Sequence, residues 1–282
     1  MEMRISPGLA MLDMLKKKRS WVWEQTLLLH KRAPETRVAS SLSLVDILTV
    51  LFYAPILNYK SSDPLWSQRD RLIISKGHGS ISLYPILADL GYFDMSELDR
   101  ICKPGSFLGG IPDPVIPGYE TVNGSLGHGP GVACGVAMAL RMNGIDKSVY
   151  VITGDGELHE GAVWEAFMFA GHHRLDNMTL IVDNNHCAML DHTDKILSIE
   201  PLNDKLTSFG WDVTRVDGHD IARLYDVLSA GKGKTGKPRA IIADTLKGKG
   251  VPGLENQAMS HIMTVKSDVI DRLLAEQVGG GN

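Results

Sequence analysis

Short apolar stretches that alternate with longer amphipathic ones constrain this chain more than any other feature. "RDRLIIS", "SVYVIT", "MTLIVD", "WDVTRVDG" and "RAIIADT" read as strands. Between them, "ISLYPILADLG", "GPGVACGVAMALRMNG", "LHEGAVWEAFMFAGHHRL", "LNDKLTSFG" and "DIARLYDVLSAGK" read as helices. Repeated strand–helix alternation with apolar strands predicts an α/β fold, a parallel sheet covered by helices on both faces. Ahead of the first strand, Leu9 to Lys31 reads as an amphipathic helix and "SLSLVDILTVLFY" as a buried one. From Cys102 to Gly124 many prolines and glycines predict a long ordered loop without regular structure. Neither an internal repeat nor a linker is visible, so residues 1–275 are expected to form one domain and 276–282, ending in "VGGGN", a disordered tail.

Composition narrows the function. With 282 residues, 44% of them hydrophobic, the chain can bury a large core. A net charge of -4, with signs mixed throughout, gives no basic field for nucleic acid. Cys102, Cys134 and Cys187 are odd in number and lack CxxC spacing, which fits reduced, buried thiols in a cytoplasmic protein and not a disulfide framework or a zinc site. No signal-peptide core is present, and no apolar run approaches the roughly 20 residues a membrane span needs. The basic cluster Lys16 to Arg19 reads as a solvated helix face. Small-molecule chemistry is the default.

Four segments fall at the carboxyl ends of expected strands, where ligands bind in open parallel sheets: "KGHGS", "GDGE", "DNNHCA" and "DTLKGKG". Gly-Asp-Gly lets backbone amides approach an anion, while Asp155 offers a hard oxygen to a cation such as Mg²⁺. A helix starting at Leu158 would add its positive end. Asn185 follows Asp155 by thirty positions, the length of one helix and one return strand, so the two sit on neighbouring strand ends. Mg²⁺ shared with phosphate oxygens needs few protein ligands, and this pair with one backbone carbonyl would suffice.

These segments resemble the N-terminal, diphosphate-binding half of transketolase, found in some organisms as a separate subunit. The likeness runs from "SLSLVDILTVLF" through "RDRLIISKGHGS", "GSLGHGPGVACGVAMA", "GDGELHEGAVWEAFMFAGHHRLDN" and "VDNN" to "KGKGVP". It implies thiamine diphosphate with Mg²⁺ held by Asp155, Asn185 and the main-chain carbonyl of Cys187. His78 and His261 would reach the diphosphate and take catalytic roles, Gly156 would donate an amide, and Gly154, Glu157 and Met189 would border the cofactor. Gly124 and Leu126 would meet the aminopyrimidine ring, and Glu160 would belong to a network between active sites at a subunit interface. The resemblance also implies a partner: a C-terminal subunit with the pyrimidine-binding domain and its catalytic glutamate, in an α2β2 heterotetramer.

Two positions depart from the pattern. Arg37 in "TRVASSLS" and Ile111 in "GGIPD" stand where the family has substrate-contacting histidines. Isoleucine removes a proton carrier, and arginine adds a fixed planar charge, so an altered substrate pocket is expected. The expected activity is transfer of a two-carbon ketol unit between non-standard substrates. The alternatives are the α subunit of a 2-oxo acid dehydrogenase and a non-catalytic cofactor-binding subunit. His128, His172 and His173 read as structural or solvent-facing, Met189 and Leu190 as core or cofactor-packing, and Lys247 and Lys249 as either phosphate contacts or parts of a mobile loop.

Overall fold

The computed structural model describes residues 8–230 and 235–279. Strands β1 (Arg71–Ile74), β2 (Val149–Gly154), β3 (Met178–Asn184), β4 (Asp212–Asp217) and β5 (Arg239–Asp244) form one sheet in the order β1-β2-β3-β5-β4. Every neighbouring pair is parallel. The helices are α1 (Leu9–Arg32), α2 (Val38–Leu42), α3 (Val45–Tyr53), α4 (Leu83–Asp89), α5 (Gly129–Met142), α6 (Gly161–His172), α7 (Thr193–Ile196), α8 (Leu202–Ser208), α9 (Ile221–Ser229) and α10 (Ser267–Gly279).

Side chains alternate across the sheet, so each strand feeds two cores. Along β2, Tyr150 and Ile152 pack with Leu27 of α1, Leu48 of α3, Ile86 of α4 and Leu224 of α9. Val149 and Val151 point the other way, into a core with Ala137 of α5, Phe167 of α6 and Leu206 of α8. Burial on both faces explains why β2 and β3 are apolar almost throughout. The edge strand β4 buries only Val216 well, which matches its charged sequence "DVTRVD".

The fold class is as expected, and the segment from Cys102 to Gly124 forms neither helix nor strand. Three boundaries differ. "SLSLVDILTVLFY" breaks near Ser43 into α2 and α3, and the Ser43 hydroxyl turns to Asp183 at the end of β3. The helix expected from Leu158 starts at Gly161, because Gly156–His159 form a 3₁₀ turn and Glu160 is extended. The positive helix end is therefore a turn farther from Asp155. Helix α10, not anticipated from the sequence, runs through the boundary set at residue 275, so 276–279 are helical and 280–282 lie outside the described residues. Among the described residues, no helix is long and apolar enough to cross a membrane.

Candidate active site

A cavity of about 650 Å³ opens beyond the carboxyl ends of β1, β2, β3 and β5. Of the residues singled out from the sequence, Arg37, His78, Ile111, Gly124, Leu126, Gly154, Asp155, Gly156, Glu157, Glu160, Asn185, Cys187, Met189 and His261 line it. Lys76 and Lys247 line it too.

Asp155 follows β2 and is 1% exposed. Its Oδ1 accepts a hydrogen bond from the Gly156 amide at 2.8 Å, whereas Oδ2 is buried without any partner among the described residues. Burial and the neighbouring Asp183 push its carboxyl up to about 7. A cation at Oδ2 would satisfy that oxygen and offset both effects. The buried Asn185 side chain stands nearby, held by bonds from Nδ2 to Asp183 and from the Cys187 amide to Oδ1. Among the described residues no group of three His, Cys, Asp or Glu side chains is gathered for a metal. The candidate set instead combines one carboxylate, one amide oxygen and one main-chain carbonyl, a donor chemistry suited to Mg²⁺ and not to zinc. Gly156 is pressed against the loop after β3, where an added Cβ would lie 3.1 Å from the Ala188 Cα. Asp155, Gly156 and Asn185 thus fit a magnesium-bound diphosphate.

The positive side of the cavity was only partly legible. Lys76, at the end of β1, reaches across β2 to form a fully buried ion pair with Asp183. Although complete burial pushes the Asp183 carboxyl up, Lys76 and hydrogen bonds from Thr245 and Ser43 hold it below the usual carboxylate range. Lys247 is 2% exposed, not part of a loose surface loop. It donates to the Cys187 and Ala188 carbonyls at 3.4 and 3.0 Å, and burial brings its ammonium down to about 8. Lys249 does not line this cavity; its carbonyl accepts from the Trp23 indole.

His78 and His261 meet edge-to-face with ring centroids 4.8 Å apart. Burial, followed by the cations around the cavity, pushes His78 well below its ordinary value and His261 down to about 4. Both rings are neutral at neutral pH, so each offers one N–H donor. His261 Nδ1 lies 3.5 Å from Ser40 Oγ.

Glu157 contributes differently from a ligand. Its carboxylate accepts from the Gly127 amide at 2.8 Å, from the Gly154 amide at 3.3 Å and from the Ser75 hydroxyl, tying the ends of β1 and β2 to the loop before α5. Glu160 is exposed at the rim, and no described residue pairs with its carboxylate. Gly124, at φ +148°, and Leu126 occupy the loop wall. Met189 and Leu190 are 54% and 66% exposed, so they belong to the rim and not the core. His128, His172 and His173 do not line the cavity.

The sheet, the oxygen-rich corner and the basic wall together define a diphosphate-binding α/β domain. The family model described as "Transketolase, thiamine diphosphate binding domain" matches residues 31–279, and the chain belongs to that family. It is 38% identical over 240 residues to the 6-deoxy-6-sulfo-D-fructose transketolase subunit of Clostridium sp. (strain MSTE9), covering 85% of this chain and 87% of that one. It is 36% identical over 266 residues to an apulose-4-phosphate transketolase subunit from Actinobacillus succinogenes, covering 94% and 96%. The crystal structure of transketolase from Campylobacter jejuni superposes with a TM-score of 0.88 at 32% identity. That match covers 95% of this chain but 43% of the other, so the chain spans less than half of that transketolase.

Proposed function

We propose that this chain is the cofactor-anchoring subunit of a two-chain, cytoplasmic transketolase that moves a two-carbon ketol unit from a ketose-type donor to an aldehyde acceptor. We read it as a single domain. The observation that carries the reading is the buried, unpartnered Asp155 Oδ2 beside the Gly156 turn, inside a wall of cations and neutral imidazoles. When bound, thiamine diphosphate supplies the carbon nucleophile that opens the bond beside a ketose carbonyl. Asp155, Asn185 and the Cys187 carbonyl would hold its Mg²⁺, and Gly156 would face the diphosphate. Lys247 would supply charge, and His78 and His261 would each donate one ring N–H without adding charge. Glu157 keeps the wall in place through the three groups it binds.

Gly124, Leu126 and Met189 leave one side of the cavity bordered by loop and rim, which is where a C-terminal partner subunit with its own catalytic glutamate would close it. Glu160, unpaired at the rim, would join the network across that α2β2 assembly. Relatives named for sulfo-sugar and apulose phosphate substrates support a non-standard substrate.

The test is reconstitution with the partner subunit, thiamine diphosphate and Mg²⁺, followed by assay of two-carbon transfer. Asp155→Ala should weaken Mg²⁺-dependent cofactor binding by about 100-fold or more, read by calorimetry, while the complex still assembles. Unchanged binding would remove the metal assignment, and ferricyanide-coupled oxidation of 2-oxo acids without ketol transfer would replace the reaction.

A further inference from the structure

Among the described residues three cationic side chains line the cavity, Arg37, Lys76 and Lys247, and two of them are already engaged. Lys76 is paired with Asp183, and Lys247 donates to two carbonyls. Arg37 is partly buried, and among the described residues its guanidinium has no hydrogen bond and no carboxylate within ion-pair distance. Glu35, two residues away, also lines the cavity and makes no ion pair with Arg37.

The backbone that carries Arg37 is fixed. The Thr36 hydroxyl donates to the Ala33 carbonyl at 2.8 Å and lies 2.9 Å from His30 Nδ1. On the other side, the Ser41 hydroxyl donates to the Arg37 carbonyl at 3.3 Å. A long side chain with no internal partner therefore projects from a held backbone into a ligand cavity. Ile111, also on the lining, offers it no polar group. The nearby histidines are neutral, so they do not share its charge.

The cofactor does not need this charge. A magnesium ion, Lys247 and a thiazolium ring would offset a diphosphate together with Asp155, and the other acids on the lining, Glu35, Glu157 and Glu160, make no ion pair with the guanidinium. Planar, with a fork of donors and always charged, it suits an oxyanion.

We propose that Arg37 is a specificity-determining residue that binds an oxyanion on the substrate itself, a carboxylate, sulfonate or phosphate. The inference rests on the two-carbon transfer reading above. It makes the enzyme selective for substrates that bring a negative group into the cavity besides the cofactor's own.

The test uses the complete two-subunit enzyme with thiamine diphosphate and Mg²⁺. Glyoxylate, sulfoacetaldehyde and glycolaldehyde phosphate are compared as acceptors with neutral glycolaldehyde, and hydroxypyruvate is compared as donor with neutral L-erythrulose. The three acceptors separate the carboxylate, sulfonate and phosphate sources. At least one anionic member should be favoured in kcat/KM by about tenfold or more. Arg37→Gln should erase that preference through KM of the anionic member, leave the neutral member within about twofold, and leave thiamine diphosphate affinity unchanged in calorimetry. Arg37→Lys should restore part of the preference, which a purely structural role would not do. Equal losses for charged and neutral members, an unaltered preference, or weakened cofactor binding would each overturn the assignment. If the wild-type complex binds cofactor but turns over neither set, the transfer reading fails separately. Arg37 is then judged by calorimetric binding of glyoxylate and sulfate: loss in Arg37→Gln upholds it, and equal binding overturns it.

Discussion

At the scale of single residues, the charge that matters most to the site's architecture lies beneath the cavity. Asp183 is fully buried and takes Lys76 as its ion-pair partner, with Ser43, Thr245 and Asn185 as further donors. Removing one member of such a pair leaves an uncompensated buried charge. Lys76→Met should therefore cost about 3–5 kcal/mol of unfolding free energy, read by denaturant titration, and adding Asp183→Asn should return much of it. A loss below about 1 kcal/mol would mean that the three neutral donors alone carry Asp183. Asp155, Gly156 and Asn185 were legible because their spacing spells two neighbouring strand ends. Lys76 and Asp183 were not, because β1 and β3 are separated by β2 and no local spacing reports a contact across a strand. For Lys247 the residue was visible in the sequence, but its burial was decided by the loops packed over it.

At the scale of elements, His30 joins two segments 235 positions apart. The Val265 amide donates to His30 Nε2 at 3.1 Å, so Nδ1 carries the proton and faces Thr36 Oγ1 at 2.9 Å. This ties α1 to the segment that leads into α10. Burial pushes the ring down to about 4 from an ordinary 6.5. Because the folded value is depressed, the neutral ring's stabilisation is complete above about pH 6.5 and is lost as pH falls toward 4. Its slope is at most about 1.4 kcal/mol per pH unit. Melting followed over this range should show a shallower acid loss in His30→Gln than in the wild type; parallel curves would assign the loss to other groups. The five strands and the helices between them could be read from periodicity, since burial on both faces writes apolar runs into the sequence. Helix α10 was missed although Val269, Ile270, Leu273 and Leu274 recur at helical spacing, because the glycine run just beyond it reads as a tail; Ile270 is the residue it buries fully among those described. The late start of α6 was equally hidden. It follows from the 3₁₀ turn at Gly156–His159, where Glu157 collects amides from two other segments.

At the scale of the whole molecule, the cavity rim is apolar and open. Met189, Leu190 and Ile196 on the lining are substantially exposed, as are Ile262 and Met263 next to His261 in the chain. Assembly with the proposed partner subunit should slow amide exchange across residues 189–197 and 259–263, measured by mass spectrometry with thiamine diphosphate and Mg²⁺ present. Exchange unchanged there, in a complex that has formed, would place the contact on another face. The Asp183 carboxylate also has a bearing on how the chain is made. Its partners stand 140 and 107 positions earlier, at Ser43 and Lys76, and 62 positions later, at Thr245. On the ribosome, the floor of the cavity cannot close until the last of these, Thr245, has left the exit tunnel. Nascent chains truncated before Thr245 would keep a buried acid short of a partner, so the site is completed only after the last strand of the sheet, β5, has been made.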